Sequence, residues 1–458
     1  MKRSDHPARR LASLIALLAT AACDKPGELG AAADEPVLAD PGAPDHEQGE
    51  PQAPRAALEV ITIAAGDYHT CALFNDQRVR CWGANWFGQL GYGNTDQVAG
   101  EDAISILEAG PVPLPPDVGV SVLATGGQHT CVVTTDDDAR CWGSNYTGQL
   151  GLGHTKNVGD ELTPDEFPPI NLAGPAITIA AGGRHSCATV LGGRIRCWGA
   201  NESGQLGLAH TDTVGDDEAP YQSGGIVLER GWMVELVGGA EHTCARGYNG
   251  SVYCWGSALR GQLGQATQKP IGDDEFPSVA GPVSVSADGL ITQIAAGSDH
   301  TCALLDDGSV RCWGDNTYGQ LGYGHTDTIG DDEPPKYVSA VDVGGPVTQV
   351  AAGSYHTCAL LESGNVRCWG NGDYGQLGYG NTQEIGDDEL PSQVGYVQLG
   401  GAVSQLTAGF LHTCALLQSG DVRCWGWNLY GQLGYSFPGR LGDNELPTAV
   451  GPVELPQS

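Results

Sequence analysis

Short apolar stretches alternate with glycine-rich polar turns along the chain, and from residue 57 onwards they follow one repeating order. In the sixth copy, residues 347–353, 356–361 and 366–370 have the composition of three short strands. An acidic loop at 385–389 precedes a fourth apolar segment near 394–399. Four short strands separated by turn residues predict the blade of a β-propeller.

Seven copies of this unit follow one another, and each contains two cysteines that are ten positions apart. The first cysteines of successive copies are separated by 56 to 60 residues, and a repeat at such intervals is typical of propellers and related arrays. We therefore predict an all-β fold with seven blades. The paired cysteines are Cys71 and Cys81, Cys131 and Cys141, Cys187 and Cys197, Cys244 and Cys254, Cys302 and Cys312, Cys358 and Cys368, and Cys414 and Cys424.

The spacing of ten within each pair is explained by a β-hairpin. If residues 306–308 form a three-residue loop with a left-handed glycine, Cys302 faces Cys312 at a non-hydrogen-bonded position, within disulfide range. Gln77 and Asp137 replace this glycine in the first two copies, which leaves room for a different turn there. Seven cross-strand disulfides and an oxidising compartment are predicted. Zinc is the alternative, but this cysteine spacing is unusual for zinc.

Three motifs recur in the copies: Ala-Ala-Gly-x-x-His-Thr-Cys-Ala-Leu, Gly-x-Val-Arg-Cys-Trp-Gly and Asn-x-x-Gly-Gln-Leu-Gly. In these motifs the chain resembles the regulator-of-chromosome-condensation repeat family, over residues 57 to 455. The resemblance implies a seven-bladed β-propeller, and the paired cysteines look like those of the secreted bacterial branch of the family.

Closure of the ring requires the first and last blades to meet. Residues 58–64 have the pattern of an inner strand, and residues 450–455 that of a fourth strand. We expect these two segments to join in one composite blade, because this would cover strand edges that are otherwise open.

One histidine, one tryptophan and one glutamine recur at equivalent positions in every copy. An active site is normally a single asymmetric constellation, so we interpret these residues as framework, with each histidine buried and hydrogen-bonded. The sequence contains no nucleophile elbow, phosphate-binding glycine loop or zinc-protease motif. No catalytic residue is predicted, and we do not expect an enzyme.

An acidic loop also recurs, and in a closed propeller it would concentrate carboxylates in one zone. Calcium prefers such oxygen ligands, but the spacing differs from that of the familiar calcium loop, and acidic turns are commonly only solvated. Calcium binding is a hypothesis, and no other cofactor is predicted. The candidate ligands are Asp216, Asp217, Asp273, Asp274, Asp331, Asp332, Asp387 and Asp388.

Function is expected where the copies differ, and the two positions before Gly-Gln-Leu-Gly are variable and often aromatic. If these loops project on one face, they form an aromatic patch of the kind that binds proteins. The alternative is that the rings only cover the neighbouring blade. The candidate partner-binding residues are Trp86, Phe87, Tyr146, Tyr318, Tyr374, Trp427 and Tyr430.

The formal net charge of -33 makes nucleic acid an improbable partner, because phosphates would be repelled. The N-terminus has basic residues followed by an apolar stretch, so residues 1–22 are predicted to be a signal peptide. Cys23 is the one cysteine outside the seven pairs and follows a sequence resembling a lipoprotein cleavage box, which makes it the predicted lipidation site. Cleavage by an ordinary signal peptidase is the alternative.

Residues 23–56 are rich in alanine, proline and acidic residues and are predicted to be a disordered tether before a propeller at 57–458. The leading hypothesis is a monomeric, lipid-anchored scaffold outside the cytoplasm that binds a protein or a glycan through one propeller face. It contacts the membrane only through its anchor. The family resemblance implies two alternatives. These are a guanine-nucleotide exchange factor, and an enzyme inhibitor like the secreted family member that inhibits β-lactamases.

Overall fold

Seven antiparallel sheets, one for each copy of the repeat, make up the computed structural model. It describes residues 57–228, 232–286 and 289–456. The predicted signal peptide, Cys23 and the tether lie outside the described residues. The described residues belong to one compact unit. None of the helices in the described ranges combines the length and apolar character needed to cross a bilayer.

Each blade has three strands that follow one another in the chain, and the seventh blade adds a short fourth strand. The strands are β1 (Val60–Ala65), β2 (His69–Phe74), β3 (Val79–Gly83), β4 (Val120–Thr125), β5 (His129–Thr134), β6 (Ala139–Gly143), β7 (Ala176–Ala181), β8 (His185–Val190), β9 (Arg194–Gly199), β10 (Met233–Gly238), β11 (His242–Gly247), β12 (Val252–Gly256), β13 (Ile291–Ala296), β14 (His300–Leu305), β15 (Val310–Gly314), β16 (Val347–Ala352), β17 (His356–Leu361), β18 (Val366–Gly370), β19 (Val403–Ala408), β20 (His412–Leu417), β21 (Val422–Trp427) and β22 (Arg440–Leu441). The helices are α1 (Ile106–Ala109) and α2 (Pro277–Ala280), and the 3-10 turns are Pro164–Glu166, Pro335–Tyr337, Pro391–Gln393 and Pro447–Ala449.

The hairpin register is confirmed, because β14 pairs with β15 such that Cys302 faces Cys312. Gly308 has a φ of 80°, the left-handed conformation that the three-residue loop requires. Gln77 and Asp137 both have a φ of 64°, so the first two copies form the same turn although they lack the glycine. Local turn geometry therefore overrides the usual residue preference at these two positions.

All seven predicted disulfides are present, with Cα–Cα distances of 4.0 to 4.1 Å. Their cysteines are buried in the blade cores. Disulfides persist in oxidising compartments, so these bonds are consistent with the oxidising compartment predicted from the cysteine spacing.

The fourth strand expected in every blade is replaced in the sixth blade by an extended segment after the Pro391–Gln393 turn. The backbone N–H of Val397 donates to the carbonyl of Val366 at 3.0 Å and ties this segment to β18. Val341 and Val453 donate to Val310 and Val422 in the same way in their own blades. The outer edge of each sheet is thus covered by a segment of its own repeat.

Because each sheet edge is covered by its own repeat, the prediction that the two termini join in one composite blade is wrong. The first strand, β1, pairs with β2, whereas the C-terminal segment bonds to β21 through Val453 and Val422. The two termini do line a common crevice, but at the seam between two complete blades. Across that seam, the backbone N–H groups of Ile63 and Ala65 donate to side chains of β19. Within the described residues, each blade is completed by its own repeat, so neither terminus has to supply a strand to another blade.

Candidate protein-binding face

A repeated hydrogen-bond relay holds neighbouring blades together. His300 Nε2 lies 2.9 Å from the hydroxyl of Thr357 in the next blade, and this hydroxyl donates to the backbone carbonyl of Gln320. The indole N–H of Trp369 donates to the same carbonyl. Because the hydroxyl proton is used on the carbonyl, His300 Nε2 is the donor to Thr357. The recurring residues are therefore framework, as predicted.

The same relay closes the ring between the last and first blades. His412 Nε2 lies 3.0 Å from the hydroxyl of Thr70, and both Thr70 and Trp82 donate to the carbonyl of Gln432. Every relay histidine is buried, and its second ring nitrogen, Nδ1, has no hydrogen-bond partner in the described part of the chain. These histidines are neutral donors.

Aromatic rings meet on the face formed by the loops before the histidines and before Gly-Gln-Leu-Gly. Tyr68 is at their centre, with ring centroids 5.6 Å from Trp86, 5.4 Å from Phe410 and 5.9 Å from both Trp427 and Tyr430. Trp86 and Tyr430 contact each other edge to face at 4.5 Å, across the seam between the first and last blades.

The contacts continue into the fifth and sixth blades. Tyr374 contacts Trp427 at 5.7 Å, and Tyr355 joins Phe410 at 5.7 Å and Tyr318 at 5.6 Å. All of these rings remain partly exposed. The connected rings, called the aromatic cluster below, are Tyr68, Trp86, Tyr318, Tyr355, Tyr374, Phe410, Trp427 and Tyr430.

Five of the seven residues proposed from the sequence for partner binding thus come together. The other two, Phe87 and Tyr146, form a separate pair at 5.5 Å, and Tyr146 is 64% exposed. Sequence reasoning missed Tyr68, Tyr355 and Phe410. They occupy the variable positions between glycine and histidine in the first motif, and their variability was the signal that would have identified them.

In the third to fifth blades, the loops before the histidines and before Gly-Gln-Leu-Gly carry charged side chains. Arg184 lies 3.8 Å from Glu241, and Arg260 lies 3.9 Å from Asp315. Burial raises the pKa of Asp299, and the nearby carboxylates of Asp315 and Glu241 raise it further. The face is therefore divided into an aromatic part and a charged part.

The acidic loops bring carboxylates together within single blades. Each predicted aspartate pair is joined by the following glutamate, which the sequence analysis did not include among the ligands, and one oxygen from each of the three residues lies within 4.8 Å of the others. Burial, with the adjacent aspartates, raises the pKa of Glu275 and of Glu333 to about 7. Four such triplets occur in the described ranges. Calcium binding stays a prediction.

Comparisons with known proteins agree with this architecture. A family model described as RCC1-like domain matches residues 97–457, and a model of the regulator of chromosome condensation (RCC1) repeat matches residues 60–89. The ultraviolet-B receptor UVR8 of Arabidopsis thaliana is 32% identical over 395 residues, which cover 86% of this chain and 82% of the receptor. The secretion-regulating guanine nucleotide exchange factor of Bos taurus is 30% identical over 373 residues, or 77% of this chain and 75% of the factor. The crystal structure of human WBSCR16 superimposes with a TM-score of 0.62 at 23% identity, covering 82% of this chain and 93% of that structure.

Proposed function

We propose, on the premise that this chain belongs to the RCC1-like domain family, that it is a scaffold that binds another protein through the aromatic cluster. The observation that carries this proposal is the continuity of the partly exposed rings across the first, fifth, sixth and seventh blades. Tyrosine and tryptophan give large contact areas with little loss of side-chain entropy, and they dominate binding energy at protein interfaces.

The comparisons favour a regulatory binding role over hydrolysis. The two curated relatives are named as a receptor and as an exchange factor. The relay histidines are tied into the framework, and no other group of side chains described above has the arrangement of a nucleophile with its base. Binding therefore accounts for the exposed aromatic residues better than catalysis does.

The double variant Trp86→Ala with Tyr430→Ala is expected to weaken partner binding about tenfold or more, because it removes two contacting rings of the cluster. The measurement is quantitative capture of cell-envelope proteins on the immobilised mature chain. Tyr337→Ala is the matched control, since Tyr337 is 73% exposed and lies outside the cluster. Equal capture by wild type and the double variant would contradict the proposal.

The proposed location is the cell envelope, with the chain anchored by a lipid on Cys23. Seven disulfides support a compartment outside the cytoplasm, and Cys23 is the cysteine that none of them uses. Cys23→Ser is expected to abolish incorporation of a radiolabelled fatty acid and to move the protein from the membrane fraction to the soluble fraction. The seven disulfides should be unchanged. An unlabelled wild-type protein would show that ordinary signal cleavage occurs instead.

Guanine-nucleotide exchange is the second candidate, because the bovine relative is named as such a factor. A cytosolic GTPase would be out of reach of an exported protein, so location separates the two functions. A C-terminal alkaline phosphatase fusion is active only after export and distinguishes them. Inhibition of an enzyme by the propeller face, or binding of a glycan, would use the same aromatic cluster and would be recognised from the captured partner.

A further inference from the structure

The first strands of the seven blades surround a central cavity of about 290 Å³. Its wall is made mostly of glycine, alanine and serine at the ends of these strands. Among the described residues that line it, Asp67 is the only one with an ionisable side chain. The equivalent positions in the other blades are Gly127, Gly183, Ala240, Ser298, Ser354 and Phe410.

Asp67 lacks any compensating group. Its carboxylate forms no hydrogen bond or ion pair with the described residues, and its side chain leans towards Gly127 of the second blade. Desolvation alone raises the pKa of Asp67 to about 6. Part of the residue remains accessible, so a cation that enters the cavity can pair with this poorly solvated carboxylate.

The framework does not need this carboxylate. Five of the other six blades build the same part of the wall with glycine, alanine or serine. Two neighbouring features are specific to this place. Phe410 of the seventh blade also lines the cavity, and Tyr68 follows Asp67 directly in the chain. Both rings belong to the aromatic cluster, so the carboxylate lies where the cavity meets that cluster.

We propose that Asp67 receives the ammonium group of a lysine side chain from the protein that binds the aromatic cluster, with the lysine stem against Phe410. This inference rests on the proposed function and specifies the chemistry of the partner. Lysine fits because it is a compact charge on a flexible apolar stem that can enter a narrow cavity. The net charge of -33 also favours a basic surface on the partner.

The direct test uses butylammonium chloride, which reproduces the lysine side chain, and saturation-transfer NMR on the full mature chain. Butylammonium is expected to bind saturably to wild type and about tenfold more weakly to Asp67→Asn. Asp136→Asn is the matched control, because it removes one carboxylate from an exposed hairpin loop and should bind as wild type does. Asp67→Gly is a second variant in case Asp67→Asn does not fold, because the second and third blades have glycine at the equivalent position.

Capture of the partner by the same variants gives the second readout. Asp67→Asn and Asp67→Gly are expected to capture about tenfold less of the partner than wild type does. Acetylation of the lysines in the extract is expected to reduce capture by wild type to a similar degree. The inference would be overturned if wild type did not bind butylammonium, or if Asp67→Asn bound it as tightly as wild type does. Unchanged capture of the partner by the Asp67 variants would also overturn it. If capture depends on Trp86 and Tyr430 but not on Asp67, only this inference fails. If it does not depend on the two rings, the proposed function fails.

Discussion

Reduction of the seven disulfides is expected to unfold the propeller under conditions in which the oxidised protein is fully folded. Each disulfide closes a short hairpin loop, and the chain-entropy model assigns about 2–3 kcal/mol to such a closure. Seven closures together exceed the roughly 5–15 kcal/mol by which folded proteins are usually stable. Urea unfolding with and without a reductant, followed by tryptophan fluorescence, measures the difference.

Removal of a single disulfide tests the same prediction on a smaller scale. The double variant Cys302→Ala with Cys312→Ala should lower the free energy of unfolding by about 2–3 kcal/mol. Cys23→Ser is the control, because Cys23 belongs to no disulfide, and it should leave the unfolding midpoint unchanged. A reduced protein that exposes fourteen free thiols and still unfolds at the oxidised midpoint would refute the prediction.

Acidification below pH 6.5 is expected to destabilise the protein steeply, because the seven relay histidines are buried as neutral donors. Burial lowers the pKa of His69, His185, His242, His356 and His412 to about 3, and that of His129 and His300 to about 4. Their pKa in the unfolded chain is about 6.5. Between these values the unfolded state binds more protons than the folded state, so stability present above pH 6.5 is lost as the pH falls.

The size of this effect follows from the number of sites. At one pH unit below 6.5, each histidine disfavours folding by about 1.4 kcal/mol, and seven of them by roughly 10 kcal/mol. Glu275 and Glu333, whose pKa is raised to about 7, and Asp67, whose pKa is raised to about 6, act in the opposite sense, because their protonation favours the folded state. They are three groups against seven, so the histidines dominate.

Unfolding free energies at several pH values between 7.5 and 5 test this prediction. The net number of protons taken up on unfolding near pH 5.5 is expected to be about four, because the seven histidines take up about six and the carboxyls with raised pKa release about two. His325→Gln is the matched control. Its side chain is 40% exposed and lies outside the relay, so the pH dependence should be that of wild type. A free energy of unfolding that is constant over this range would show that the relay histidines are protonated in the folded protein.

The sequence by itself determined the blade count, the strand order and the disulfide pairing. These features are local, because a three-residue loop places Cys302 opposite Cys312 whatever the rest of the chain does. The framework role of the recurring histidines followed from their sevenfold repetition. Even where Gln77 and Asp137 replace the glycine, the neighbouring strands impose the same turn.

Only the tertiary structure decided how the blades meet. The closure of the ring and the joining of Tyr68, Phe410 and Trp86 depend on residues more than 300 positions apart, which no local pattern relates. The position of Asp67 in the cavity wall arises in the same way, since the cavity exists only when seven distant strands converge on it. Hairpin register is set by a few bond rotations, whereas these contacts require every blade to be in place.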